Sequence, residues 1–234
     1  MRTKYTLLAL LLLGFLQFVS AQSDSVDFTF RYTISGHTNV SLPGEFNGWT
    51  PANARMTNIG NDLWVKTVRL RIGGNPNPPP VGVPGAWQYK FWYDGVTTWP
   101  NDPLNHHVNP ADNDNSFIYT RDPTIYQLLP NQRQQLVSTA FPTITAYLFP
   151  KVGSVVDTSA ISLNVDGATY KAPGASYDLS TKLFSYTLPQ ALSNGQHTLI
   201  LTAGSSKDTV TFFVQAGFVQ ILNHPIQLGQ IQAG

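Results

Sequence analysis

The segment Val26-Asp27-Phe28-Thr29-Phe30-Arg31-Tyr32-Thr33-Ile34 alternates apolar and polar side chains without a break. Side chains of a strand leave on opposite faces at every second residue, so this pattern buries one face, wets the other and does not fit a helix of 3.6-residue period. Leu63 to Leu70 and Trp87 to Tyr93 read the same way, and the second run ends in Asp94-Gly95, a pair that accepts the positive φ angles of a tight hairpin. Between them, Ile72 to Gly82 holds too many prolines for a sheet interior and predicts a long exposed loop. Ser116 to Thr120 closes this first unit. After Asp122-Pro123 the pattern restarts in Thr124 to Leu129, Thr143 to Phe149, Ile161 to Val165, Phe184 to Leu188, Thr198 to Thr202 and Thr209 to Val214. Asp166-Gly167, Pro173-Gly174, Asn194-Gly195 and Gly204-Ser205-Ser206 separate these runs. Short strands at such intervals predict an all-β chain of two β-sandwiches in tandem. A composition with 18 Gly, 17 Pro and 12% charged residues agrees, because turns are frequent and solvated helices have little to build on.

The start of the chain is of another kind. Arg2 and Lys4 precede a leucine-rich run, Thr6 to Val19, and Val19-Ser20-Ala21 offers the small residues that a signal peptidase reads. The run is shorter than the roughly 20 residues that span a bilayer, so an export signal cleaved after Ala21 is expected, with no membrane association afterwards. The predicted organisation is a signal at 1–21, a first sandwich at 22–120, a second at 121–215 and a tail at 216–234 that links to a further domain. A formal net charge of +1 gives nothing to attract nucleic acid, and the absence of cysteine excludes disulfides, thiolate metal sites and a cysteine nucleophile.

All five tryptophans, Trp49, Trp64, Trp87, Trp92 and Trp99, fall in the first half. Strand parity puts Trp87, Tyr89, Phe91 and Tyr93 in the core, with Gln88, Lys90 and Trp92 facing outward. Trp49 follows Gly44-Glu45-Phe46-Asn47-Gly48 and Trp99 precedes Pro100, so both belong to loops. Indoles on loops beside a lysine and an Asn-rich segment suit a sugar, whose ring faces stack on aromatics while its hydroxyls need polar partners. The same residues suit plain loop and core packing equally well. For Trp92, cover by the proline-rich loop is the favoured expectation, and extension of a sugar platform the other.

The ordered string Phe30-Arg31-Tyr32, Leu42-Pro43-Gly44-Glu45-Phe46-Asn47-Gly48-Trp49, Leu63-Trp64, Gln88-Tyr89-Lys90-Phe91, Asp94-Gly95, Trp99, Asn101-Asp102-Pro103 and Asn115-Ser116 resembles the family 48 carbohydrate-binding modules, which include the glycogen-binding domain of the AMP-activated kinase beta subunit. The resemblance covers residues 26 to 120. It implies an early-set immunoglobulin-like sandwich that binds α-1,4-linked glucan: starch, glycogen or maltooligosaccharide. It further implies that Trp49 and Trp99 are stacking platforms, that Lys90 donates to sugar hydroxyls and that Asn115 hydrogen-bonds along the glucan. Ala111 and Asn113 depart from the leucine and threonine of kinase-type modules, which bears on affinity rather than on fold. Ile161 to Gly167, Tyr186 to Pro189 and Leu192 to Thr198 resemble bacterial immunoglobulin-like domains, whose usual role is that of a spacer.

No catalytic machinery is expected. A glycosidase needs two carboxyl groups about 5–9.5 Å apart, and Glu45 is the sole glutamate, placed in a turn of the binding module. A family 13 barrel needs about 250 residues of alternating strand and helix. His106-His107 are expected to point apart as neighbours in an extended segment, with no third metal ligand at a recognised spacing. Asp112-Asn113-Asp114 lacks the glycine and glutamate of a calcium loop. No metal or cofactor is therefore expected. The sequence reads as an exported, non-catalytic glucan-binding region serving a downstream α-amylase-type hydrolase. The alternative is a structural or adhesive surface protein whose first domain has kept the fold and lost the ligand.

Overall fold

The computed structural model describes residues 24–134, 136–171 and 176–217. The predicted signal at 1–21 and tail residues 218–234 lie outside the described residues. The first unit contains β1 (Ser25–Thr33), β2 (Val40–Ser41), β3 (Thr57–Asn58), β4 (Leu63–Arg71), β5 (Ala86–Tyr89), β6 (Trp92–Tyr93), β7 (Val108–Asn109) and β8 (Asn115–Tyr119). They pair antiparallel as β1-β4-β3, β2-β6 and β5-β8-β7. The alternation of β1 is realised: Val26, Phe28 and Phe30 are fully buried, and Thr29 meets Thr67 on the wet face through a 2.8 Å hydrogen bond. The second unit is a sandwich of two four-stranded sheets. Its strands are β9 (Thr124–Leu129), β10 (Thr143–Phe149), β11 (Ile161–Val165), β12 (Ala168–Lys171), β13 (Tyr177–Asp178), β14 (Leu183–Thr187), β15 (Gly195–Ala203) and β16 (Ser206–Val214). The sheet orders are β13-β14-β10-β9 and β12-β11-β15-β16. Among the described residues no helix is long and apolar enough to cross a membrane.

Two expectations need correction. The run from Trp87 to Tyr93 is not one strand, because the amides of Lys90 and Phe91 leave the ladder and donate to Pro43 O and Pro100 O, each at 2.9 Å. Gln88, placed outward by parity, is fully buried, because the turn at Glu45 and the loop at Asn109 to Asp112 close over it.

The seam at residues 120/121 is a shared wall rather than a linker. Tyr126 of β9 and Phe149 of β10 pack with ring centroids 4.8 Å from that of Phe28 in the first core, the one edge-on and the other tilted. Beneath that wall lies Asp102, which is fully buried. Its carboxylate accepts from Tyr89 OH at 2.9 Å, Tyr126 OH at 2.7 Å, Gln127 Nε2 at 3.2 Å and the Leu104 amide at 2.9 Å. Burial raises its pKa against the pull of Tyr126, the Leu104 amide, Tyr89 and Gln127. Such a group is tolerated in an interior only because its oxygens are fully occupied. Two of its donors come from the second sandwich, so it ties the units together.

Candidate functional site

Three loops converge on Lys90. Consecutive amides of an extended chain point to opposite edges, so the bonds from Lys90 to Pro43 and from Phe91 to Pro100 clasp the segment on both sides. One clasp carries the loop that ends at Trp49 and the other the loop that contains Trp99. The third loop is captured by the side chain, since Lys90 Nζ donates to Asn113 O at 2.6 Å. Asn101 Nδ2 reaches Asp114 O at 3.4 Å, and Arg133 of the second sandwich donates to Asn101 Oδ1 at 2.9 Å. Of the four residues singled out in the sequence, Trp49, Lys90 and Trp99 are half-buried, with surface left for a ligand. Asn115 is only 5% exposed, paired with Asn109 in the β7–β8 ladder, and offers little to an outside partner.

The local chain explains how Trp49 is presented. Gly44 N donates to Asn47 Oδ1 at 3.0 Å, Asn47 Nδ2 to Leu42 O at 2.8 Å and Trp49 N to Gly44 O at 2.9 Å. A Cβ on Gly44 would lie 2.8 Å from Gln88 O, so only glycine lets the turn close onto β5. Trp49 itself adopts φ 58°, a left-handed conformation that a bulky residue pays for and that clusters at ligand contacts. Beneath the turn, Glu45 accepts from the Gln88 amide at 3.1 Å and from Gln88 Nε2 at 3.0 Å. Gln88 Nε2 also donates to Asp112 Oδ2 at 3.0 Å, and Asn109 Nδ2 donates to Gln88 Oε1 at 2.8 Å. One buried amide therefore couples the Trp49 turn to the Asn113 loop, a role that strand parity hid.

Trp92 does not meet the proline-rich loop. That loop is held elsewhere: Gly73 N and Gly74 N bond to Thr120, and Val81 O accepts from Asn109 Nδ2 at 2.7 Å. Trp92 instead lines a groove of about 470 Å³ with Asn39, Ser41, Pro51, Ala52 and Arg55.

The adjacent histidines also differ from expectation. Asn105 accepts from the His107 amide at 3.0 Å and donates to Phe117 O at 2.8 Å, bending the chain so that both rings leave on one side. Their centroids are 3.9 Å apart, and the His107 ring stacks on Phe117. Both Nε2 atoms face Asp208 Oδ1 of β16, at 3.1 Å from His106 and 3.5 Å from His107. Burial, then the neighbouring His106, pushes His107 down to about 4, with Asp208 opposing and Arg121 adding. A carboxylate so distant in sequence leaves no spacing signature to read.

No family model matches the chain, and no curated protein matches it. Among solved structures it is similar to the endo-β-1,4-mannanase of Thermotoga petrophila, at 14% identity over 41% of this chain and 20% of that one, with a TM-score of 0.31. The chain thus spans about a fifth of that enzyme's length. It is also similar to a chimeric titin Z1Z2 tandem, at 14% identity, 82% and 92% coverage and TM-score 0.27. A third likeness is to immunoglobulin domains 1–5 of Sidekick-1, at 10% identity, 81% and 38% coverage and TM-score 0.26. The described residues are all-β; likenesses of this strength carry no inference.

Proposed function

We propose that the first sandwich binds α-1,4-linked glucan, with Trp49 and Trp99 as stacking platforms and Lys90 as hydrogen-bond donor between them. The observation that carries this reading is the double clasp at Lys90-Phe91, which sets two partly exposed indole loops on either side of one lysine, with one indole held in a left-handed backbone. The ordered resemblance to family 48 carbohydrate-binding modules supports the same ligand. On this reading the second sandwich presents the first, and the chain is the exported, non-catalytic part of an α-amylase-type hydrolase.

If each platform covers roughly 100 Å² of apolar surface at about 25 cal/mol per Å², two contribute about 5 kcal/mol before association costs. With hydrogen bonds to the sugar hydroxyls offsetting much of that cost, weak binding with dissociation constants of about 0.1–1 mM is expected. In a native gel cast with glycogen, the wild-type chain should be retarded, and Trp49→Ala and Trp99→Ala should each migrate faster while retaining their circular dichroism. Wild-type retardation in both variants overturns the assignment. No retardation of the wild type leaves the structural or adhesive reading in its place. Asn115→Ala should matter less than either, given its burial.

A further inference from the structure

The seam between the sandwiches gathers a second set of polar residues that glucan binding does not use. His106, His107 and Asp208 each offer one ligand atom, and all three atoms lie within 4.8 Å of one another. Their side chains are 7%, 21% and 9% exposed. Burying two imidazoles and a carboxylate is costly unless each finds a partner. His106 Nε2 and His107 Nε2 approach Asp208 Oδ1 to 3.1 and 3.5 Å, but neither contact is a well-directed hydrogen bond, and that oxygen already accepts from the Thr209 amide at 2.8 Å. Hydrogen bonding therefore accounts for neither ring.

We infer that His106 Nε2, His107 Nε2 and Asp208 Oδ1 are three ligands of a divalent transition-metal ion of the zinc type that bridges the two sandwiches. Tetrahedral zinc, with bonds of about 2.0–2.1 Å, holds its ligand atoms about 3.3 Å apart. The observed 3.1 and 3.5 Å straddle that edge length. Two imidazoles and one carboxylate are a borderline donor set that suits zinc, cobalt or iron(II) over calcium or magnesium. Two of the three, His107 and Asp208, also border a cleft of about 20 Å³, the room that about one ion or water needs. Ser206 opens into the same cleft. It is 1% exposed, and its Oγ has no hydrogen-bond partner. Three protein ligands leave a fourth position for water, and a water there gives Ser206 Oγ the partner it lacks.

Two features limit the affinity. His106 Nδ1 is buried without a partner, so one ligand lacks the outer hydrogen bond that ordinarily strengthens a metal-bound imidazole. Arg121 and Lys207 line the same cleft, and two cationic side chains there work against a bound cation. The dissociation constant is accordingly on the order of 1 µM rather than nanomolar.

Equilibrium dialysis of the whole chain against Zn²⁺ should return one ion per chain in that range. Co²⁺ should give the intense visible absorption of a tetrahedral site. At 100 µM Zn²⁺ the melting temperature should rise by about 5–10 °C and fall back on adding EDTA. Asp208→Asn, which keeps the side-chain shape, and His107→Gln should each weaken binding by about tenfold or more. His37→Gln and His197→Gln should leave it unchanged. Substoichiometric zinc on the wild type overturns the site, as does binding untouched by Asp208→Asn. Should that variant not fold, the wild-type cobalt spectrum decides, since octahedral absorption alone also overturns it.

Discussion

The two sandwiches fill their interiors differently. The second packs Leu128, Ile144, Leu148, Leu163, Leu199 and Leu201 with Phe184. The first packs Phe28, Phe30, Tyr32, Trp64, Tyr89 and Phe91, and buries Gln88, Asp102, Asn105, Asn109, Asn115 and Ser116 beside them. An aliphatic core stabilises by area alone and leaves its loops to themselves. Buried amides and carboxylates stabilise less but fix geometry, because each must meet named partners. In the first sandwich the interior reaches out through Gln88 and Asp102 to hold loops, which is why the proposed glucan site is placed there.

The contrast is tested most severely by removing the heart of the aliphatic core. Phe184→Ala should cost about 3–5 kcal/mol, the usual range for truncating a fully buried aromatic. All five tryptophans lie in the first sandwich, so tryptophan fluorescence follows that unit while far-ultraviolet circular dichroism follows both. Because Tyr126 and Phe149 stand in the first core, both probes should shift together. A fluorescence midpoint that stays in place would show that the seam does not couple the two units.

Next comes the polar anchor. Asp102→Asn places an NH₂ among donors and should cost about 2–4 kcal/mol. Its pH dependence has a definite sign. Burial raises the folded pKa, so the folded chain holds this proton more tightly than the unfolded one, and the contribution of Asp102 is greatest in acid and falls as pH climbs through the raised value. The deficit of Asp102→Asn should therefore be larger at about pH 4 than at about pH 8. Denaturant midpoints of both proteins at the two pH values measure it, and a deficit that grows toward alkaline pH would mean that the hydrogen bonds outweigh burial.

Much of the fold could be read from period-2 alternation: β1, β4, β8, β9, β10 and β11 lie within a residue or two of their expected bounds. The misses have a common cause. β12 is a short edge strand with no buried residue to impose alternation, and β13 is an edge strand of only two residues, too short to show a period. The break at Lys90-Phe91 is made by Pro43 and Pro100, and the burial of Gln88 by Glu45, Asn109 and Asp112, all distant in the chain. Trp49 and Trp99 stood out as indoles on loops and Lys90 as an outward residue of a strand, but the clasps that bring their loops together are made by Pro43 and Pro100, distant in the chain. The pairing of His106 and His107 with Asp208 depends on how two domains dock, which local sequence does not encode.

The smallest expected effect concerns Trp92, half-buried opposite Ser41. Its groove is continued by Pro51 and Ala52, which directly follow the Trp49 turn, so a glucan lying on Trp49 and running in that direction would meet a second indole. On the proposed reading a short oligosaccharide would be satisfied by Trp49 and Trp99, whereas a long chain would reach the groove as well. Trp92→Ala should then lose about threefold in affinity for glycogen, under 1 kcal/mol, and nothing measurable for maltotriose, with stability lowered by about 1 kcal/mol because the ring is only partly covered. Titration of both ligands by tryptophan-independent calorimetry separates the cases. Equal losses for the short and long ligands would move Trp92 into the platform itself, and no loss for either would make the groove ordinary surface, leaving recognition confined to the loops that Lys90 holds.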